Sequence, residues 1–270
     1  MLRGFLSILV ILFSFQGTRA QCFSKNTSFK FGEKIVYDVA YNWQFVWLSA
    51  GEVTFMVKNT NYLGNTVYHF DAYGTSYKSY DWFYKVRDRY QAYADTGTLQ
   101  TLWAGRATYE GGYEVFEDYL FKWSQKVVYG TTKTTKKPYL HSDTISLNVC
   151  LNDLVTAIYY ARNIDFTKCK MNEKIPIWSL IVGKTYPLYI RFLGKEILHT
   201  RDEKNISCYK FSAKLVDGTV FKGGEELYAW VTDDENHIAV QVEAKILIGS
   251  IKATLKSYEN LRNPYTSLKN

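Results

Sequence analysis

Four acidic residues in one short stretch could support hydrolytic chemistry. Glu110, Glu114, Glu117 and Asp118 lie close together, beside many aromatic residues that could hold a sugar. Glycoside hydrolysis needs two carboxyl groups flanking the scissile bond, one acting as acid and the other as base or nucleophile. These acids also flank Gly111-Gly112, a pattern typical of an exposed hairpin with solvated acids. The hairpin interpretation is favoured, and a polysaccharide hydrolase with paired carboxylates remains the alternative.

Other catalytic motifs find little support. The sequence lacks the motifs of α/β-hydrolases, zinc proteases, P-loop proteins and dinucleotide-binding proteins. His141-Ser142-Asp143 contains the residue types of a catalytic triad, but a triad is assembled in space and not from sequence neighbours. Asp233-Asp234-Glu235 offers oxygen ligands for calcium, yet it lacks the spacing of a calcium loop and favours a solvated turn. We therefore assign no catalytic residue, no metal ligand and no cofactor.

Aromatic residues are the strongest peculiarity of the composition. The chain contains 23 Tyr, 16 Phe and 7 Trp, which together make 17% of it. Strands favour aromatic residues, so part of this excess is core packing. Rings on both faces of a strand cannot all enter one core, so others should line a groove or a partner surface. We predict an apolar groove for a lipid or envelope glycan, lined partly by Trp43, Trp47, Trp82, Tyr84 and Trp103.

The four cysteines are Cys22, Cys150, Cys169 and Cys208. None forms a C-x-x-C pair, and an oxidising envelope compartment would favour disulfides. Cys150 and Cys169 bracket a predicted helix and would close a loop of about twenty residues. We therefore predict a disulfide between Cys150 and Cys169, while the pairing of the other two cysteines stays open.

The N-terminus has the three zones of a secretory signal peptide. Arg3 supplies the positive start, residues 5–15 form an apolar run, and Thr18 and Ala20 are small residues at the recognition positions. We expect cleavage after Ala20 and export to the periplasm or beyond. The apolar run is shorter than the ~20 residues that cross a bilayer, so we expect no transmembrane segment in the mature chain. The residues before Cys22 lack the lipidation pattern, which favours cleavage over a lipid anchor.

The charge of the chain is mildly basic. Removing residues 1–20 takes away Arg3 and Arg19 and no acid, so the formal charge falls from +7 to +5. Basic residues are dispersed, and no stripe with nucleic-acid motif spacing occurs, which excludes DNA and RNA as expected partners. Lys133, Lys136 and Lys137 form the one cluster. This cluster is interpreted as a solvated loop tip, with an anion or membrane-surface contact as the alternative.

Alternation of period two dominates the rest of the chain and predicts a meander of β-hairpins. The expected strands include 35–43, 53–57, 67–73, 82–94, 98–109, 113–123, 185–193, 196–200, 206–215, 227–232, 238–248 and 251–258. Ser49-Ala50-Gly51 is predicted to be a turn between the first two. Residues 21–270 are expected to form a single β-rich domain, because no linker divides them.

One segment has helical periodicity instead. From Asn152 to Arg162 the apolar residues fall on one face, with Asn152 or Asp153 as N-cap. Its apolar stripe must be buried, and the only large apolar partner is the sheet. The predicted fold is therefore mainly β, a curved antiparallel sheet, open or half-barrel, with one helix packed against its concave face.

Several short motifs spread over nearly the whole mature chain carry a family resemblance. They are Gly32-Glu33-Lys34-Ile35-Val36-Tyr37, Ala50-Gly51, Val86-Arg87-Asp88-Arg89-Tyr90, Asp95, Asp153-Leu154 through Tyr159-Tyr160-Ala161-Arg162, Trp230-Val231-Thr232-Asp233-Asp234-Glu235-Asn236 and Gly249-Ser250-Ile251. Through them the chain resembles the DUF3108 family, which consists of exported bacterial proteins of unknown function. The style of its signal peptide and sequence resembles that of members from Bacteroidetes. The resemblance implies an envelope location and a curved antiparallel β architecture, and it carries over no catalytic residue.

The leading functional hypothesis is a non-enzymatic cell-envelope binding or scaffold protein whose aromatic groove holds a lipid or an envelope glycan. The alternatives are a hydrolase of envelope polysaccharide and a purely structural assembly partner. A deep groove would favour the first, two facing acids the second, and a flat exposed patch the third.

Overall fold

The computed structural model describes residues 25–43, 46–216, 224–245 and 249–269. The strands in this part of the chain are β1 (Lys34–Trp43), β2 (Val46–Tyr62), β3 (Asn65–Ser76), β4 (Val86–Asp95), β5 (Thr101–Glu110), β6 (Tyr113–Lys122), β7 (Val127–Thr134), β8 (Lys137–Ser146), β9 (Leu151–Asn152), β10 (Lys174–Ile181), β11 (Lys184–His199), β12 (Asn205–Leu215), β13 (Gly224–Thr232), β14 (Ala239–Lys245), β15 (Ser250–Glu259) and β16 (Leu268–Lys269). The helix α1 (Leu154–Ala161) lies between β9 and β10. The predicted signal segment, its cleavage after Ala20 and Cys22 lie outside the described residues.

All of these strands belong to one sheet. Its order is β8-β7-β6-β5-β4-β3-β2-β1-β15-β14-β13-β12-β11-β10-β9, and β16 pairs with β12. Neighbours are antiparallel except for the short parallel pair of β9 and β10. Chain neighbours thus pair into two meanders, joined where β1 pairs with β15. This confirms the predicted mainly β, meander-rich fold.

The position of α1 shows that the sheet is strongly curved. The helix packs against β3, β4 and β10, although β3 and β10 are eight positions apart in the strand order. In a flat sheet, eight steps of ~4.8 Å would separate those strands by about 38 Å. A helix of 8 residues is only about 12 Å long. It can touch both strands only if the sheet curls around it, so α1 lies on the concave face, as predicted.

Local chemistry explains why α1 begins where it does. The Oδ1 atom of Asp153 accepts hydrogen bonds from the backbone N–H groups of Val155 and Thr156, at 2.9 and 3.1 Å. Its Oδ2 atom accepts a bond of 3.0 Å from the Thr101 hydroxyl, which ties the N-cap to the start of β5. Val155 and Tyr159 are buried. An N-cap aspartate satisfies backbone donors that a helix leaves unpaired, so this carboxylate fixes both the start and the position of α1.

The apolar core lies on the concave face around α1. The ring of Tyr159 stacks on that of Phe70 at 4.0 Å between centroids, and Phe29 meets both rings edge-on. Ala92, on β4, belongs to the same core. We call the end of the sheet where β1 and β5 begin the near end. The opposite end carries the β3–β4, β5–β6, β7–β8 and β10–β11 connections and is called the far end.

A buried arginine joins three separate segments at the near end. Arg162 directly follows α1, and its guanidinium donates to both carboxylate oxygens of Glu33, at 2.6 and 3.0 Å. It also donates to the backbone oxygens of Ser28 and Asn236, at 3.1 and 2.9 Å. The side chains of Arg162 and Glu33 are only 8% and 0% exposed. The helix, the segment before β1 and the β13–β14 connection therefore meet at one ion pair.

Some sequence predictions of local structure are wrong. Ser49-Ala50-Gly51 lies inside β2, where the pairing register with β1 shifts beside Ala40, and it is no turn. Residues 77–85 form a loop with a 3-10 turn at Lys78–Tyr80, so β4 begins at Val86 and not at Trp82. The strands β7, β8 and β10 were not anticipated. β8 is almost entirely exposed, so it has no alternation of apolar and polar residues to reveal it.

The predicted disulfide between Cys150 and Cys169 is absent, because Cys169 is a free cysteine. Its thiol lies 3.7 Å from the backbone oxygen of Asp165. The preceding Phe166 is buried against Phe192 and Phe211, so this segment is anchored toward β11 and β12. Among the described residues Cys208 is also free, and it is fully buried.

None of the helices in the described ranges has the length and hydropathy needed to cross a membrane.

Replacing Glu33 by glutamine tests the importance of the buried ion pair. The variant leaves the Arg162 charge buried without its counter-charge, so we expect the free energy of unfolding to fall by about 3–5 kcal/mol. The matched control is Glu259→Gln, which breaks the exposed pair with Lys34 and should cost less than about 1 kcal/mol. Urea unfolding measures both, and equal losses would contradict the prediction.

Thiol labelling tests the state of the cysteines. Burial raises the pKa of Cys169, and it raises that of Cys208 to about 12. Because Cys169 is partly exposed and Cys208 is buried, iodoacetamide should modify Cys169 faster in the native protein. In urea without reductant both should react. Peptide mapping gives the readout. If Cys169 reacted only after reduction, it would be in a disulfide, and the free thiol seen in the structure would be contradicted.

Candidate functional site

A set of polar side chains occupies the concave face between the core and the far end. Counting in steps of two from the core residues Ala92 and Ala104 places them on this face. The register aligns Tyr90, Arg106 and Glu117 across β4, β5 and β6, with Asp88 opposite Thr108 in the next row. The acid–arginine cluster is defined by Asp88, Arg106, Thr108, Glu110 and Glu117.

Arg106 and Glu117 form the ion pair of this cluster. The Nη1 atom of Arg106 lies 3.2 Å from Oε2 of Glu117, and the guanidinium lies 5.1 Å from the centroid of the Tyr90 ring. The Tyr119 hydroxyl donates to Oε1 of Glu117 at 2.5 Å. Burial and the neighbouring Glu117 carboxylate raise the pKa of Tyr119, so this hydroxyl keeps its proton and remains a donor.

The β10–β11 turn reaches across the concave side and binds the same residues. The backbone N–H of Val182 donates to Oε1 of Glu117 at 2.5 Å, and that of Gly183 to the Tyr119 hydroxyl at 2.6 Å. Val182 has φ +45° and Gly183 φ +70°. Positive φ is unfavourable for a β-branched residue such as Val182, so the surrounding contacts must hold it there. The turn thus fastens β10 and β11 to the distant strand β6.

The carboxyl groups of Asp88 and Glu110 share a hydrogen bond in the part of the cluster closest to the far end. Burial, followed by the charge of Glu110 and the hydrogen bond to it, raises the pKa of Asp88 to about 7. The Oδ1 atom of Asp88 also accepts a bond of 3.2 Å from the Tyr109 N–H. Two hydrogen-bonded carboxyl groups hold one proton between them near neutral pH. The pair is therefore a proton-sharing acid pair that can both donate and accept hydrogen bonds.

Two buried polar atoms of the cluster have no partner within the described part of the protein. They are Nε of Arg106 and the hydroxyl oxygen of Thr108. A small cavity lies beside Arg106, lined on one side by Tyr90, Arg106 and Glu117 and on the other by Asp153 and Leu154 at the start of the helix. The space open to the centre of a water molecule is about 20 Å³. That volume suits one or two waters.

The predicted groove residues lie in separate environments. Trp82 and Tyr84 lie in the β3–β4 loop, where Trp82 is exposed and the Tyr84 ring covers Gly111. Trp103 lies on the convex face, opposite to its neighbour Ala104, and donates from Nε1 to Asp118 at 3.2 Å. Trp47 packs beneath the Lys252 ammonium, 4.7 Å from its ring centroid. The side chain of Trp43 lies outside the described part. The four described side chains do not form one groove, because strand alternation places Trp103 on the convex side.

The predicted acids are likewise divided by strand alternation. Glu110 and Glu117 lie in the concave cluster, whereas Asp118 is on the convex face and Glu114 is exposed. Of the other candidates, Asp233 and Asp234 accept bonds from Ser207, Thr232, Ser267 and the Asn236 N–H, and Asp233 also pairs with Lys195. Their oxygens are thus engaged by protein donors and do not present a calcium site.

Sequence reasoning missed Asp88, Arg106 and Thr108. A usable indication was the strand Ala104-Gly105-Arg106-Ala107-Thr108-Tyr109-Glu110, in which one face carries a small residue followed by polar and charged ones. An arginine on the core face of a strand requires a buried partner. That observation would have selected the cluster, although it would not have identified Asp88.

A family model described as a protein of unknown function, DUF3108, matches residues 36–256. The chain belongs to the DUF3108 family. All five residues of the acid–arginine cluster fall within the matched range, while Glu33 lies just before it. No curated protein matches the DUF3108 chain.

The DUF3108 fold is similar to that of a solved protein from another family of unknown function. The crystal structure of a β-barrel-like protein of domain of unknown function DUF1849 from Brucella abortus matches with a TM-score of 0.54. Sequence identity is 8%, and the match covers 86% of this chain and 99% of that one. At this identity the likeness shows the fold alone.

The pH dependence of stability tests the acid pair. Since the native pKa of Asp88 is raised to about 7 from 3.8, the folded protein holds a proton that the unfolded chain releases. The stability contributed by this protonated group is lost as pH rises through that window. Asp88→Asn keeps a neutral side chain with an acceptor oxygen, so its stability relative to the unmodified protein should increase from pH 5 to pH 8 in urea unfolding.

Glu110→Gln separates the two causes of the raised pKa. Burial is the larger cause and remains in this variant, so only part of the pH dependence should disappear. A constant stability difference between Asp88→Asn and the unmodified protein at both pH values would contradict the shared proton.

Proposed function

We propose that this DUF3108 protein is a non-enzymatic cell-envelope binding protein whose acid–arginine cluster binds the hydroxyl groups of a sugar. The observation that carries the proposal is the pair of buried, unpartnered polar atoms, Nε of Arg106 and the Thr108 hydroxyl. A buried polar atom without a partner costs about 1–3 kcal/mol. Water or the hydroxyl groups of a ligand would satisfy both atoms.

The composition of the concave face supports a sugar over an acyl chain. Between the cluster and the near end, packed aromatic rings fill the concave side, and the ring centroids of Phe70 and Tyr159 are 4.0 Å apart. The cluster combines carboxylates and a guanidinium, and the Tyr90 and Tyr119 rings lie beside it. Such groups bind hydroxyls by hydrogen bonds and pack against the apolar face of a sugar ring. The sugar could belong to a free envelope glycan or to the headgroup of a glycolipid.

Entry of a sugar requires a movement of the β10–β11 turn. The present cavity accepts water-sized molecules, with about 20 Å³ open to their centres. The Val182 and Gly183 N–H groups bind Glu117 and Tyr119 beside it. In the proposed mechanism these two bonds open, and sugar hydroxyls replace the turn as donors to Glu117. Loops that cover binding sites commonly open on the microsecond to millisecond timescale.

The geometry favours binding over hydrolysis of the sugar. Glycosidases separate their two carboxyl groups by about 5–10 Å to admit the sugar or a water. Asp88 and Glu110 are instead hydrogen-bonded to each other, and Glu117 is engaged by Arg106, Tyr119 and the turn. The envelope location rests on the signal-like residues 1–20.

Replacing Thr108 by valine tests the proposal. The change removes the unpartnered hydroxyl and keeps the shape of the side chain. One lost hydrogen bond is worth about 1 kcal/mol, so affinity for a bound sugar should fall about fivefold. The free energy of unfolding should stay the same or rise, because an unsatisfied buried group disappears. Calorimetric titration with soluble peptidoglycan fragments and with lipopolysaccharide micelles distinguishes a free glycan from a glycolipid headgroup.

Thr66→Val is the matched control, since Thr66 is exposed at the start of β3 and far from the cluster. It should leave the affinity unchanged. A protein that binds neither probe would refute the proposal and leave a structural assembly role. Cleavage products in the titrated glycan, detected by mass spectrometry, would favour the hydrolase alternative.

A further inference from the structure

Two large aromatic side chains protrude from the far end of the sheet. Trp82 is 82% exposed and Phe83 54% exposed, and their rings contact each other edge-on at 5.9 Å. Both belong to the β3–β4 loop. Isolated exposed apolar residues are common, but an exposed tryptophan next to an exposed phenylalanine at a loop tip is a feature of interaction surfaces.

The loop holds these rings in a defined position. The N–H groups of Phe83 and Tyr84 both donate to the Tyr80 backbone oxygen, at 3.0 and 3.1 Å. The Asp81 carboxylate accepts bonds from both Nη atoms of Arg87, at 3.1 and 2.5 Å. The loop is therefore anchored to the start of β4, and binding through Trp82 and Phe83 would not require it to order first.

Lysines lie at the same end of the sheet as the two rings. Lys78 and Lys85 belong to the same loop and are exposed. The Tyr84 ring covers Gly111 of the β5–β6 turn, and the next aromatic residue, Tyr113, lies 6.0 Å below the Lys136 ammonium. This chain of contacts brings the β7–β8 turn alongside. The aromatic–lysine rim is defined by Trp82, Phe83, Lys78, Lys85, Lys133, Lys136 and Lys137.

The acids near the rim do not cancel its positive charge. Asp81 is engaged by Arg87, and Asp88 and Glu110 lie in the concave cluster near the Arg106 guanidinium. Glu114 is exposed at the start of β6. The five lysines of the rim outnumber the nearby acids Asp88, Glu110 and Glu114, and the rim is a cationic surface with an aromatic tip.

We propose that the aromatic–lysine rim docks on an anionic lipid bilayer, with Trp82 and Phe83 inserted at the level of the headgroups. Aromatic rings, tryptophan above all, favour the boundary between headgroups and acyl chains. Lysines near an anionic membrane surface add electrostatic attraction that is screened by salt. The inference goes beyond the sugar-binding proposal and does not depend on the acid–arginine cluster.

The shape of the rim favours a bilayer over a protein partner. Stable protein interfaces bury about 800 Å² on each side with complementary surfaces. Here the apolar part is a protruding tip of two side chains, with exposed lysines in the same loop and at the same end of the sheet. A fluid surface closes around such a tip without a preformed pocket, and its anionic headgroups match the lysines.

Vesicle binding tests the inference. The exported protein is purified, its N-terminus is checked by intact mass, and it is sedimented with phosphatidylcholine vesicles with or without phosphatidylglycerol. We expect binding to the anionic vesicles that weakens at high salt, together with a blue shift of tryptophan fluorescence. The double variant Trp82→Ser with Phe83→Ser should lower the vesicle affinity at least tenfold. Lys78→Glu with Lys85→Glu should lower it in the anionic vesicles only.

Matched controls separate docking from loss of the fold. Leu63→Ser removes an exposed apolar side chain at the near end, and Lys30→Glu changes an exposed charge there. Both should bind vesicles like the unmodified protein, and all variants should keep their melting temperature within a few degrees. The Thr108→Val variant should also bind vesicles normally, so the two proposals fail independently. Absence of vesicle binding, binding that persists without Trp82 and Phe83, or loop-dependent self-association without vesicles would overturn the inference.

Discussion

The buried guanidinium of Arg162 is the constraint on which the rest of the fold depends. A charge that is almost completely removed from water requires a counter-charge and several hydrogen bonds. Arg162 obtains them from Glu33 and from the backbone oxygens of Ser28 and Asn236. The Phe29 and Tyr159 rings pack against it, with centroids at 5.5 and 5.4 Å. These bonds hold the helix end, the N-terminal segment and the β13–β14 connection together.

With α1 fixed by Arg162 at one end and Asp153 at the other, the concave face is divided into two parts. Near the helix, packed rings exclude water. Toward the far end, Arg106, Glu117 and the acid pair replace them, and these charged side chains pair between neighbouring strands. The β10–β11 turn then closes over this polar part through Glu117 and Tyr119. The curvature that buries the core therefore also creates a polar site that is partly shielded from water.

The sequence determined the class of the fold and the position of its helix. Period-two alternation requires a half-buried sheet, and the helical stripe that includes Val155 and Tyr159 requires burial against it. Those arguments use only local periodicity, so they predicted most of β1, β3 to β6 and β11 to β15 but only residues 53–57 of β2, and they placed α1 on the concave face. They missed β7, in which Gly and Thr residues leave little apolar alternation, and β8, because an exposed edge strand has no apolar face to mark it.

The candidate site was decided by tertiary structure. The alternation pattern indicated that aromatic residues would lie on both faces of the sheet. It did not indicate which face was concave, so Trp103 was wrongly assigned to an inner groove. The partners Asp88 and Glu110, and those of Glu117 on the β10–β11 turn, come from positions far apart in sequence. Asp88 and Glu110 meet through the pairing of β4 with β5, whereas the β10–β11 turn reaches Glu117 because the sheet curls around α1. Sequence therefore fixes which residues share a strand face, since the period is local, whereas the pairing register and the curvature decide which faces meet.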